Sequence, residues 1–215
     1  MNKVFTAAIF LLLFFSSSAF SQSKNLEYGF GGGLTYVLGP SAYTSDIDTT
    51  GNLGLKSGYH LQGKIKFGLQ PIPLKLTGRL AYTSISGSKN NVIVNPTTAI
   101  DLESSTSIFT FAIGAEYLLN TESMFSPYAD LELQMNAQGK TNFSRVFPNT
   151  TQEFSTDSRA RWGLGLGAGI DVGIMSQLNL DAGIRFNFVN LFGKMSNEDG
   201  FNTFTLSVNL LYHAR

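Results

Sequence analysis

Apolar and polar residues alternate with a period of two along most of the chain. In the first run Leu26, Tyr28, Phe30, Leu34, Tyr36 and Leu38 share one face, while Glu27, Gly29, Gly31, Gly33 and Thr35 share the other. The same scheme recurs over residues 59–69, 74–83, 106–119, 128–138, 159–172, 178–188 and 203–212. Sustained alternation predicts strands that separate two different environments. A helical period finds no support after residue 21.

Run length and charge placement say which environments these are. The runs are about twice the ~5–6 residues of an average soluble strand and match the ~9–11 residues of a tilted membrane strand. One face of every run lacks Lys, Arg, Asp and Glu. A Lys or Arg on a lipid-facing strand costs ~2–4 kcal/mol at the bilayer midplane. The apolar face is therefore read as lipid-facing and the charged, glycine-rich face as a lumen. The predicted fold is all-β, an eight-stranded antiparallel up-and-down transmembrane β-barrel. Val92 to Val94 leaves open a further hairpin and a count of ten.

The connections alternate in length. Residues 39–57, 84–105, 139–157 and 190–202 are long and polar, whereas 70–73, 120–126 and 175–177 are short. Outer-membrane barrels join short periplasmic turns to longer extracellular loops, with both termini periplasmic when the strand count is even. Aromatic residues fall near both strand ends. Tyr28, Tyr117 and Tyr212 lie toward the short turns, and Tyr36, Tyr59, Tyr82, Trp162 and Phe188 toward the long loops. Two aromatic belts at the lipid headgroups are the expected reading.

The first residues differ from the rest. Lys3, an apolar run from Val4 to Phe15, and a small polar stretch ending at Ala19 and Ser21 have the order of a secretory signal peptide. The chain thus divides into a signal peptide, 1–21, and a barrel domain, 22–215. Removing Lys3 lowers the basic count from 15 to 14 against 15 acidic residues, a net charge of −1. That balance argues against a nucleic-acid partner. The chain has no cysteine, so no disulfide supports an exported fold.

With these features the chain resembles the small outer-membrane barrel family that includes OmpX, OmpW and the barrel half of OmpA. The resemblance lies in architecture over nearly the whole mature chain, without a short diagnostic motif. Its last strand, Phe204 to Tyr212, resembles the C-terminal signal read by the barrel-assembly machinery, although His213, Ala214 and Arg215 follow the aromatic residue. The resemblance implies an outer-membrane location, outer-membrane lipids as surroundings and the assembly machinery as a partner in biogenesis.

Candidate chemistry is sparse. Gly163, Gly165 and Ala168 spell a dinucleotide fingerprint, but that motif needs a strand before it and a helix after it. Here it lies inside a period-two run, so no cofactor is expected. The inward glycines instead make room in the lumen for Arg79, Arg185 or Tyr128, and Gly29, Gly31 and Gly33 do the same on the first strand. Glu27, Glu116, Asp130, Glu132, Asp171 and Asp181 face Lys64, Lys66, Lys75, Arg79, Arg159, Arg161 and Arg185 inside the barrel. An eight-stranded barrel is just wide enough to be filled by side chains, so these charges are expected to pair. No spacing suggests a metal site.

Four functions compete. The first is a non-enzymatic envelope barrel, structural or binding a surface ligand through its loops, with Phe143, Val146, Phe147 and Phe154 as candidate contacts. The second is a narrow pore or transporter for small solutes. The third is a lipid A-modifying enzyme, for which His60 with Ser57 or Ser84 would supply base and nucleophile. The fourth is a soluble lipocalin-type barrel, which would keep its apolar residues inside.

Overall fold

The computed structural model describes residues 25–45, 54–87, 90–95, 98–119, 124–147, 150–155, 157–196 and 198–214. The expected signal peptide, 1–21, lies outside them. The strands are β1 (Leu26–Gly39), β2 (Leu55–Gly68), β3 (Leu74–Gly87), β4 (Asn90–Asn95), β5 (Thr98–Leu118), β6 (Phe125–Gln138), β7 (Asn142–Phe147), β8 (Thr150–Ser155), β9 (Arg159–Met175), β10 (Leu178–Phe192) and β11 (Asn202–Ala214), with a one-turn helix α1 (Ser41–Thr44) after β1.

Eight of these strands close a ring. The order is β1, β2, β3, β5, β6, β9, β10, β11 and back to β1, each pair antiparallel. Closure leaves no unpaired edge inside the ring, which a lipid environment requires because it offers backbone groups no water. The register keeps like with like. Tyr28 lies opposite both Tyr212 and Ile65 on one face, and Glu27 opposite Lys66 on the other.

The polarity of the two faces is inverted relative to a soluble protein. Phe30 is 73 % exposed on the outer face, while Lys66 and Glu116 are each 0 % exposed inside. The lipocalin reading requires the opposite arrangement, and this finding overturns it. Tyr28, Tyr36, Tyr59, Tyr82, Tyr117, Trp162 and Tyr212 are all exposed on the outer face. Eight residues of β1 separate Tyr28 from Tyr36. That is about 26 Å along a strand rising ~3.3 Å per residue, or about 20 Å of height at the ~35–45° tilt of such barrels, most of their ~25 Å apolar band.

Two of the expected long loops are strands instead. β4 continues β3 along the same partner: Ser86 lies opposite Ser105, and Asn90 opposite Leu102. β7 and β8 likewise continue β6 and β9, with Gln138 opposite Arg159 and Asn142 opposite Ser155. The outer part of β5 joins them, pairing with β4 and β7. One wall of the barrel therefore rises past the ring as a four-stranded sheet, β4–β5–β7–β8. The Val92–Val94 hairpin exists, but it stacks on the ring without entering it, so the ring stays at eight. β-branched and aromatic residues in otherwise polar sequence (Val92, Ile93, Val94, Phe143, Val146, Phe147) suit a strand better than a loop.

Among the described residues, the opposite wall ends in α1 and in the segments 193–196 and 198–201. There the inward positions turn apolar. Val37, Leu55, Ile85, Ile108, Val189 and Phe201 form a buried cluster across the lumen, with Tyr43 packed on it. The Tyr43 and Phe201 rings lie 4.8 Å apart. Leu55 reaches this layer where the β2–β3 register shifts between Leu55 and Ser57.

Candidate functional site

The charged lumen is where inward positions of all eight ring strands converge. On β2 the alternation points His60, Gln62, Lys64 and Lys66 inward, and on β6 it does so for Tyr128, Asp130, Glu132, Gln134 and Asn136. Near the short turns Lys66 Nζ lies 2.9 Å from Glu116 and 2.8 Å from Asp171, and it also contacts Asp181. Lys64 pairs with Asp181 at 2.9 Å and with Glu116. Lys75 joins Glu27 at 2.7 Å to Asp171 at 3.1 Å. Tyr128 donates to Asp181 over 3.0 Å, and its ring centre is 4.7 Å from Lys66 Nζ, within cation–π range.

A second cluster fills the middle. Arg79 donates from Nε and NH2 to Glu132 Oε2 at 3.1 and 2.7 Å. Arg185 donates likewise to Asp130 Oδ2 at 3.1 and 2.6 Å, with Glu132 Oε1 3.1 Å away. Arg79 Nε also donates to Glu132 Oε1 at 3.2 Å, so this pair engages both carboxylate oxygens, whereas Arg185 holds Asp130 through one oxygen alone. Above them Gln134 donates to Asn187 at 2.9 Å, and Gln62 to Asn209 at 2.7 Å. A cavity of about 20 Å³ remains among His60, Arg79, Gln134, Asn187 and their neighbours, room for about one water.

The inward glycines of β9 and β10 make this packing fit. A Cβ on Gly169 would meet the Tyr128 phenol carbon at 2.5 Å, one on Gly183 the Tyr128 hydroxyl at 2.9 Å, and one on Gly165 the Arg185 Cδ at 2.9 Å. The expected space for Tyr128 and Arg185 is thus present. Gly29 and Gly33 act differently. A Cβ there would strike the backbone carbonyls of Leu210 and Leu206. These two glycines let β1 curl tightly against β11, and only Gly31 also clears a side chain, that of Asn209.

Eleven of the thirteen expected lumen charges meet in the two clusters: Glu27, Lys64, Lys66, Lys75, Arg79, Glu116, Asp130, Glu132, Asp171, Asp181 and Arg185. Arg159 does not join them, nor does Arg161. Arg161 sits at the loop-side rim and donates to Glu198 at 2.8 and 3.0 Å. Glu198 also accepts from Asn190 Nδ2 at 3.1 Å and from the Met195 amide at 3.2 Å. Alternation places Arg161 on the inward face, but it cannot show that an acid from the 193–201 loop folds back to meet it. The backbone of Phe143, Val146, Phe147 and Phe154 lies in β7 and β8, and their side chains fall outside the described residues. By register Phe143 lies opposite Ser104 and Phe154, whereas Val146 lies opposite Asp101 on the other parity. The four residues therefore do not share one face.

The Glu198 contacts set an acid limit for this loop. Burial pushes its carboxyl up, but the hydrogen bonds from Arg161, Asn190 and Met195 prevail and hold it at about 2. A group depressed below its unfolded value stabilises fully above that value and loses the effect as pH falls through the folded one. Hydrogen-exchange protection of the Met195 and Phe201 amides is expected to hold from neutral pH to about 4.5 and to fall between there and about 2. Protection that fades already between pH 7 and 5 would contradict this latch.

The profile of the outer membrane protein beta-barrel domain matches residues 7–213. No curated protein sequence matches the chain. Among solved structures, a major outer membrane protein from Thermus thermophilus is similar with a TM-score of 0.51 at 12% identity, over 87% of this chain and 98% of that one. Neisserial surface protein A gives 0.47 at 17% identity, over 87% and 96%. Ail, the attachment invasion locus protein of Yersinia pestis, gives 0.43 at 15% identity, over 87% and 95%. At these identities the likeness is one of fold. The match over almost the entire chain, on a closed eight-stranded ring with a polar inside and an apolar outside, makes this protein a member of the outer membrane protein beta-barrel domain family.

Proposed function

We propose that this is a plugged, non-enzymatic envelope barrel that binds a surface partner through the raised sheet β4–β5–β7–β8. The observation that carries the reading is the contrast between the two ends of one wall. Inside the membrane the lumen is filled by paired charges around a cavity of about 20 Å³. Above it, among the described residues, β4 pairs only with β5, and β8 only with β7. Among the described residues no strand pairs with their outer edges, and such an edge is a template for an added strand. Natural edges are usually guarded by Lys or Pro. β4 reads NNVIVN, with no charged residue and no proline, and β8 reads TTQEFS, with Glu153 its one charge. The bound partner would be an extended polypeptide segment.

The test is deletion of residues 142–155 from barrels displayed on cells. The shortened barrel is expected to keep its heat-dependent gel mobility and lose adhesion to protein-coated surfaces. Unchanged adhesion overturns the reading, and so does steady single-channel current from the intact barrel, which would favour the pore. The enzyme reading loses support from His60. Its ring is buried in the lumen, with Nδ1 3.1 Å from Thr35 Oγ1, away from the lipid face.

A further inference from the structure

The end of the barrel with the short turns opens into a basin of about 790 Å³. Its lining combines apolar Leu69, Ile72, Leu118 and Met124 with charged Glu27, Lys75 and Asp171 and with His213. In this family that end faces the periplasm. The lumen charges are unequal toward it. In the middle cluster Arg79 and Arg185 meet Asp130 and Glu132, two cations on two carboxylates. Toward the basin, among the described residues, Lys64, Lys66 and Lys75 meet Glu27, Glu116, Asp171 and Asp181, three cations on four carboxylates.

Glu27 is where the surplus reaches the basin. It is 3 % exposed, and its Oε1 takes the Lys75 ammonium. Its Oε2 is buried and accepts no hydrogen bond. A buried carboxylate oxygen without a donor is costly, and a buried charge without a partner more so. His213 Nδ1 lies 3.6 Å from Oε1 and supplies the missing charge only when protonated.

We propose that this basin binds one alkylammonium cation, from a free amine or from a lysine side chain of a periplasmic polypeptide. The nitrogen donates to Glu27, and the alkyl stem lies along Leu69, Ile72, Leu118 and Met124. One surplus negative charge calls for one positive charge, and the apolar wall suits a hydrocarbon stem better than a hydrated metal ion.

The test uses the full barrel in phospholipid nanodiscs, with labelled methyl groups of Met124, Ile72 and Leu118 observed by NMR. Titrated n-butylammonium is expected to shift these signals saturably, with at least ten-fold weaker binding in Glu27→Gln. His213→Lys, which tethers an ammonium beside Glu27, is expected to weaken it as strongly and keeps the test open should Glu27→Gln fold poorly. Tighter binding of N-acetyl-lysine methylamide supports the site with a polypeptide source, and weaker binding supports it with a free amine. Four results overturn the proposal: no saturable shift, equal shifts from n-butanol, unchanged affinity in Glu27→Gln, or binding seen only after Lys24→Ala and Arg215→Ala. In the last case the chain's own basic residues next to the basin in sequence would fill the site.

Discussion

A Lys66→Met barrel is expected to unfold at clearly lower urea than the wild type, with a loss of ~3–5 kcal/mol. Lys66 is fully buried and touches Glu116, Asp171 and Asp181 at once. Methionine keeps most of the unbranched stem, so little packing is lost. What disappears is the cation, and the carboxylates then repel one another with only Lys64 and Lys75 near. The charge origin is testable within one cycle. Glu116→Gln added to Lys66→Met removes one stranded carboxylate and is expected to recover part of the loss. If the loss were one of packing, the second change would make the barrel worse. A loss under about 1 kcal/mol, as for an exposed ion pair, would mean that the lumen is wet and its charges are solvated. Urea unfolding in lipid vesicles, followed by tryptophan fluorescence of Trp162, reads the wild type and both variants.

Much of this architecture was legible because a strand's two faces answer to different solvents. Alternation alone assigned Lys64 and Lys66 to the inside and Leu61 and Ile65 to the outside, and it located eleven of the thirteen lumen charges. It also identified Gly165 and Gly169 as spacers. Three features were not legible, each for its own reason. The strands β4, β7 and β8 continue past the ring, where no bilayer imposes a period of two. The apolar layer of Val37, Leu55, Ile85, Ile108 and Val189 interrupts the polar lumen. It depends on which inward positions share a height in the ring, a matter of register between strands. The Arg161–Glu198 pair spans 37 residues and depends on how the 193–201 loop folds back. Phe143, Val146 and Phe147 were noticed for their apolar character, but their membership of a sheet follows only once β6 and β5 are seen to continue past the rim.

The inversion of inside and outside also bears on how the barrel is held together. A soluble barrel gains stability by burying apolar side chains, whereas here the outer face gains it from lipid. The inner face must then pair most of the polar groups it contains. That explains why Gln62, Gln134, Asn136 and Asn209 are buried and hydrogen-bonded beside the ion pairs. Stability should accordingly depend on the depth of an outward side chain as well as on its exposure.

Two substitutions separate depth from exposure. Leu80 and Ile72 are 50 % and 53 % exposed. On a soluble surface either could become arginine within about 0.5 kcal/mol. Leu80 lies midway along β3, opposite Gly63 and Phe111, on the membrane side of Tyr82 and so within the apolar band. Ile72 lies in the turn between β2 and β3, where the lipid ends. Leu80→Arg is therefore expected to cost ~2–4 kcal/mol and Ile72→Arg ~0–1 kcal/mol. Both are read from urea titrations in the same vesicles, with the heat-dependent gel shift confirming that each variant folds. Arginine at position 80 can relieve part of its penalty by reaching toward the headgroups, so the lower half of the range applies if the bilayer thins locally. Repeating the pair in thinner bilayers should shrink the Leu80→Arg cost and leave Ile72→Arg unchanged. Equal costs at the two positions would mean that this face does not meet lipid at the depth its aromatic belts mark out.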